Sequence, residues 1–333
     1  MVLGADLMRR RLLLGGFAAL SLKTSSALAG EPRRLAVLFA VSPSPEYTAS
    51  LAAFEQALVA RGWRKGDTLA IDVHWLTGDA QRRREGIAAV LSTTPDVVLV
   101  QSEPMTASLM QAGGKFPVVF VHVSDPVRSG LVASIARPEG RLTGITNTTP
   151  TIAGKWLQLL REAAPGTKRA VMLFNPETAA LRGAVFLEPF LAAGRTMGVA
   201  TSSAEVRSPP DIDAALAALA VSPGGAFVAA PDPFLASNSA RIVEQAAKLH
   251  LPAVYPYRYY AAQGGMISYG VDNIELYRQS ADYVDRLLRG ATPADLPIQQ
   301  PTRFRMTVNL KAARGLGLEV PTTLLAEADE VIE

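Results

Sequence analysis

The 333-residue chain contains no cysteine, which excludes disulfide scaffolds, zinc–thiolate centres, iron–sulfur clusters and thiol nucleophiles. Histidine is scarce too. His74, His122 and His250 lie far apart, with no spacing such as H-E-x-x-H to hold a metal. No G-x-S-x-G elbow, G-x-x-x-x-G-K-[ST] loop or G-x-G-x-x-G turn occurs, so the usual nucleophile and nucleotide signatures are missing. No apolar run approaches the roughly 20 residues that a membrane helix needs. What is present is a globular composition, 49% hydrophobic and 19% charged. At roughly 150 residues per domain, the length predicts about two domains.

The formal charge of +3 suggests a nucleic-acid partner until it is located. Arg9, Arg10, Arg11 and Lys23, against Asp6, carry all of it. Removing those residues from 33 basic and 30 acidic side chains leaves 29 of each, so the rest of the chain is neutral. Phosphate binding needs a surplus of Lys and Arg on one face, and the net charge gives no evidence of one. The basic residues instead precede the short apolar run Leu12–Leu22 and the small-residue site Ala27-Leu28-Ala29, the order of an export signal. Residues 1–29 are therefore expected to be removed near Ala29-Gly30, leaving a mature periplasmic chain without membrane insertion. Arg9-Arg10 with Leu12-Leu13 loosely resembles a twin-arginine signal but lacks its Ser/Thr and Phe, so the export route stays open.

From Arg33 onward, continuous apolar runs alternate with helical periods. Leu35–Ala40, Leu69–Trp75, Asp96–Val100 and Pro117–Val121 read as strands, separated by helices around 47–58, 80–92 and 105–113. A second set begins near Pro150, with strands at Arg169–Phe174, Val199–Ser203, Ala226–Ala229 and Ala253–Tyr255. Its helices are expected at 156–163, 180–197 (with a kink at Pro189), 212–219 and 237–249. Such strands joined by helices imply parallel sheets covered on both faces. The stretch 123–149 reads as irregular. Asp272 and Glu275 form a capping box for one more helix, and Phe304–Leu310 is strand-like before a short final helix.

In open parallel sheets, ligands meet the loops at the carboxyl ends of the strands. Five such loops stand out: Ser42 to Tyr47, Gln101-Ser102-Glu103-Pro104, His122-Val123-Ser124-Asp125-Pro126, Asn175-Pro176-Glu177 and Pro231-Asp232-Pro233-Phe234. Each is polar, stiffened by proline and followed by a helix start, where hydroxyls and N–H groups suit a carboxylate. Helix capping alone accounts equally well for any single loop; their convergence is what points to a ligand. Asp232 could pair with a ligand ammonium group. Half of the eight tyrosines fall at Tyr255, Tyr257, Tyr259 and Tyr260, where packing accounts for two and Tyr255, ending a strand, is the site candidate. His122 is the one histidine placed at the expected cleft, and Arg82-Arg83-Arg84 reads as a solvated helix face.

Specific motifs follow in order: Ser124-Asp125-Pro126-Val127, Arg137-Pro138-Glu139-Gly140, Thr143-Gly144-Ile145-Thr146-Asn147, Gly154-Lys155-Trp156-Leu157 and Leu173-Phe174-Asn175-Pro176. Leu251 to Tyr255, Gly264 to Gly270, Leu296 to Thr302 and Asn309 to Ala313 continue the series. Over 33–333 the chain resembles the ABC-transporter substrate-binding family of tryptophan/tyrosine type. The resemblance implies an α/β fold of two doubly wound parallel-sheet lobes joined by a hinge, the type I periplasmic-binding-protein architecture. Residues 30–147 plus about 270–300 would form the first lobe and 148–269 the second, with the lobe of 301–333 left open. Neutrality and the hinge design favour a monomer, and the missing catalytic signatures argue against an enzyme. The implied protein uses no cofactor or metal, holds a small polar solute such as an amino acid or related carboxylate, and delivers it to a membrane permease with its ATPase. An exported sensing module for a membrane receptor is the alternative.

The candidate ligand contacts in the first lobe are Ser42, Tyr47, Gln101, Ser102, Ser124 and Asp125, joined by Thr146 and Asn147 at the lobe's end. Asn175, Asp232, Tyr255 and Tyr269 are the candidates from the second. Many relatives carry Gly-Thr-Pro where this chain has Ser102-Glu103-Pro104, and Glu103 adds a negative charge near the expected carboxylate pocket.

Overall fold

The structure, a computed structural model, describes residues 31–77, 80–149 and 151–333, so the expected export signal at 1–29 lies outside the described residues. The first sheet is built from β1 (Arg33–Phe39), α1 (Pro45–Ala60), β2 (Leu69–Trp75), α2 (Ala80–Ser92), β3 (Val97–Gln101), α3 (Glu103–Ala112), β4 (Val118–Val123) and β5 (Leu142–Thr146). Its strands run parallel in the order β2-β1-β3-β4-β5. The sequence of β3 and β4 is almost wholly apolar and every residue of both is buried, as a sheet covered on two faces requires.

The second set opens with α4 (Ile152–Ala163), β6 (Arg169–Phe174), α5 (Ala184–Met197), β7 (Ala200–Glu205), α6 (Pro209–Ala220) and β8 (Gly225–Ala229). It continues through α7 (Pro233–Ser237), α8 (Ser239–Lys248), β9 (Ala253–Tyr255), α9 (Arg258–Ala262), β10 (Ile267–Gly270) and α10 (Asn273–Leu288). Last come β11 (Arg305–Asn309), α11 (Leu310–Gly315), α12 (Thr322–Glu327) and β12 (Glu330–Ile332). The sheet order is β12-β11-β10-β9-β8-β6-β7, parallel throughout except for the antiparallel pair β10–β11. That pair departs from the all-parallel expectation because β11 enters after an excursion through the other lobe.

The excursion is α10, which leaves the second sheet to pack along α1 and over the first sheet. Residues 296–299 then lie along β5, where Thr146 N donates to Gln299 O (2.9 Å) and Thr143 Oγ1 to Leu296 O (2.6 Å). The chain thus crosses between the sheets three times, after β5, before α10 and before β11. One apolar cluster fills the first lobe around Val98 and Phe120, and another fills the second around Trp156 and Phe186. A third is continuous across both, from Phe39, Tyr47 and Phe54 through Tyr257, Tyr259 and Tyr260 to Phe227.

Local details depart from the sequence pattern for identifiable reasons. The stretch 123–149 is not wholly irregular, since it holds β5. The helix expected over 180–197 begins only at Ala184, because Leu181 and Arg182 adopt left-handed φ of 46° and 56° in a preceding 3-10 turn. Pro189 is carried inside α5, so the break falls at that turn instead. The 237–249 helix starts at Ser239, after Asp232 has capped the separate short helix α7.

Gly144 is fixed by close approach: its φ is 155° and a Cβ there would overlap the Phe120 carbonyl and ring on the neighbouring strand. Gly144→Ala should destabilise the protein by about 2 kcal/mol through overpacking, read as a fall of several degrees in Tm. An unchanged melting curve would contradict this packing of β5 on β4.

Candidate functional site

The carboxyl ends of both sheets face one cleft, which encloses a cavity of about 420 Å³. Ser42, Arg83 and Ser102 line it from the first lobe; Asn175, Arg207 and Phe234 line it from the second. Each loop is set by a local device. Ser44 Oγ accepts the Tyr47 N–H and Ser102 Oγ the Met105 N–H, capping α1 and α3. Gln101 Oε1 accepts the Ala40 N–H (2.9 Å) and so ties the loops after β1 and β3 together. Ser102 and His122, at the ends of β3 and β4, hold positive φ of 78° and 57°. Such conformations cost a non-glycine residue on the order of 1–3 kcal/mol, and they gather where a fold positions a site.

Behind the cavity a polar chain joins the lobes. Ser124 Oγ donates to Asn147 Oδ1 (3.1 Å), and Asn147 Nδ2 donates to the Tyr257 hydroxyl (3.0 Å). The Tyr257 hydroxyl is also hydrogen-bonded to His122 Nδ1 (3.1 Å). Burial pushes His122 down to about 3, so the ring is neutral at physiological pH. Its Nε2 and the hydroxyls of Tyr259 and Tyr277 are buried without partners. Tyr47 packs edge-on against His122 and Phe39 in the same cluster, beside rather than in the cavity lining.

Asp232 has a different place from the one its sequence context suggested. Its Oδ1 accepts from Thr178 Oγ1 (2.7 Å) and the N–H groups of Phe234 (2.6 Å) and Leu235 (3.1 Å), while Oδ2 accepts from Asn175 N (2.7 Å). Burial raises its carboxyl to about 6 despite these four donors. The carboxylate therefore straps the loop after β6 to the loop after β8, and a ligand ammonium would have to displace existing donors to reach it.

The remaining candidates divide by position. Ser42 lines the cleft and its N–H donates to Ser237 Oγ (3.1 Å) on the opposite wall. Asp125 Oδ1 accepts the Arg128 N–H and shapes its own turn. Thr146 lies at a crossing, bonded to Gln299. Tyr255 stacks on Tyr260 (4.9 Å) and lines a separate cavity of about 540 Å³ between α8, α9 and α11, outside the cleft. Tyr269 stacks on Phe304 (5.7 Å) and its carbonyl accepts from Trp156 Nε1, also away from the cleft.

Arg83, Arg207, Phe234 and Tyr257 stand outside the contacts expected from sequence. The run Arg82-Arg83-Arg84 reads as a solvated helix face, yet Arg83 lies on the cleft wall. Tyr257 had a signal in the tyrosine cluster, but only its partners on the other lobe distinguish it from its neighbours.

The strap geometry predicts that Asp232→Ala lowers Tm, since it strands the Asn175 and Leu235 N–H groups in a buried place, at about 1–3 kcal/mol per unsatisfied group. Thermal melts of the two proteins check this, and equal Tm values would refute the strap.

Comparison with known proteins follows this geometry. The crystal structure of an ABC domain in complex with L-Trp from Streptococcus pneumonia superposes with a TM-score of 0.83 at 23% identity, covering 90% of this chain and 100% of that one. A conserved domain protein from Vibrio cholerae gives the same TM-score and coverage at 24% identity. A tyrosine-binding protein of Clostridioides difficile (strain R20291) is 20% identical over 267 residues, 80% of this chain and 76% of that protein. These likenesses establish the fold. Residues 34–332 match the ABC transporter substrate binding protein family, and the chain belongs to it.

Proposed function

We propose that this protein is the extracytoplasmic solute-binding component of an ABC importer, holding an amino acid or related carboxylate between its lobes. The observation that carries the reading is the cleft itself: hydroxyls, helix starts and one arginine from each lobe line a single cavity of about 420 Å³. Arg83 and Ser102 on one wall and Asn175 on the other suit a carboxylate, Arg207 would have to exchange its pairing with Glu205 and Glu177 for the ligand, and Phe234 offers an apolar face. The related proteins described as tyrosine-binding and as an L-Trp complex support the same ligand class.

The mechanism follows from the crossings. A solute touching one wall has no preference between open and closed forms, whereas one touching both is bound better when the lobes meet, and that difference drives closure. The closed form is then the one a membrane permease, with its ATPase, accepts. Export under the 1–29 signal would place the protein where such a permease collects its cargo.

A panel of amino acids, aromatic carboxylates and other small carboxylates tests the reading by thermal shift. A ligand at 100 times its Kd should stabilise the mature protein by about 2.7 kcal/mol, with a parallel decrease in the radius of gyration by small-angle scattering. A panel without any shift would overturn the assignment of ligand class.

A further inference from the structure

We propose that Glu103 takes up a proton when the lobes close, so that acidification favours the closed, capturing form. The inference rests on the closing-cleft reading above. Glu103 is the first residue of α3, directly after the strained Ser102, and only 6% of it is exposed. Its Oε1 accepts the N–H of Leu181 (2.9 Å), which belongs to the second lobe. Its Oε2 is buried with no partner. The facing turn is held in a shape that aims this N–H at the carboxylate, with Leu181 and Arg182 both left-handed. A side chain that a carboxylate's charge would ordinarily keep in water is thus sealed into the seam by the opposite lobe.

The charges around it do not offset that burial. Burial is the largest influence and raises Glu103 from 4.5 to about 7; the Leu181 and Asp125 N–H groups oppose it, and the Asp125 carboxylate adds to it. The start of α3 favours the ionised form, and it too is outweighed. On the elements around Glu103, His122 is neutral, Arg182 is exposed, and Arg128 is engaged with Glu188 of the second lobe (2.7 Å). Asp232 is also raised, but its four donors all lie within the second lobe, so lobe separation leaves its hydrogen bonds in place.

The sign is fixed by which form holds the proton. Parting the lobes removes the Leu181 turn and returns Glu103 to water and to its ordinary value near 4.5. Between that value and about 7 the closed form binds more protons than the open form, so closure is favoured as pH falls through this window and disfavoured above it. From pH 8 to pH 6 the closed-to-open ratio should rise about tenfold by linkage.

The absence of cysteine makes this measurable in the full chain. Spin or fluorescent labels on Val59→Cys and Val221→Cys, 57% and 82% exposed, report the distance between the lobes without any ligand. The expected result is two distances whose ratio shifts about tenfold towards the short one between pH 8 and pH 6, with Glu103→Gln abolishing the dependence and keeping the short form at high pH. A ratio independent of pH in the unsubstituted protein, or an equal dependence in Glu103→Gln, overturns the role of Glu103 alone. A single distance at every pH and with every solute of the carboxylate panel overturns the closing cleft together with it. If Glu103→Gln does not fold, the protonated-carboxyl band lost between pH 6 and pH 8 in the infrared difference spectrum of Asp232→Asn, where the other raised carboxyl is gone, decides the matter. Its presence supports the proton and its absence removes it.

Discussion

Two parallel sheets held with their carboxyl ends facing one another impose most of what is distinctive in this protein. Every loop that leaves a strand at that end, and every helix start that follows, is driven into the same narrow space. Three short crossings keep the sheets opposed, and residues 296–299 extend the edge of the first sheet through backbone bonds to β5. Polar groups that would be ordinary surface caps on either lobe alone are thereby buried against each other.

The consequences differ from one polar group to the next. Asp232 is buried but receives four hydrogen bonds, so its charge is housed and serves to join two loops of one lobe. Tyr257 carries a chain of neutral partners across the seam to His122, where burial costs only what an unsatisfied Nε2 costs. Glu103 is buried with one oxygen satisfied and the other bare. Of the three, it is the one whose charge is both poorly housed and covered by the opposite lobe.

In the proposed mechanism, binding and closure share this seam. The cavity wall is made of side chains that the strained ends of β3 and β4 and the capped starts of α1 and α3 hold in place. A solute that reaches Arg83 and Arg207 together spans a gap that exists only because the lobes meet. Ion pairs at the rim such as Arg128–Glu188 are exposed, and screening by solvent leaves them little part in the balance.

Much of this could be read along the chain. The apolar runs of β1, β3, β4, β6 and β8, the proline-stiffened loops and the capping serines are local patterns, and local patterns survive without knowledge of the fold. β5, β10 and β12 escaped notice because each is short and takes its identity from a neighbouring strand. The helix expected at 180–197 lost its first turn to two left-handed residues that no periodicity signals. Tyr255 was favoured over Tyr257 because it ends a strand, yet the pleat turns it towards a different cavity.

The sequence by itself determined the α/β alternation, the loops from which a site could be made and the family to which the chain belongs. Only the tertiary structure decided which polar atoms meet. Tyr257 and His122 are separated by 135 residues, and Glu103 and Leu181 by 78, so their contacts depend on how two sheets are set across a gap. Strand and helix formation is governed by neighbours a few residues away, whereas a charge is costly or harmless according to what the far end of the chain brings to lie against it.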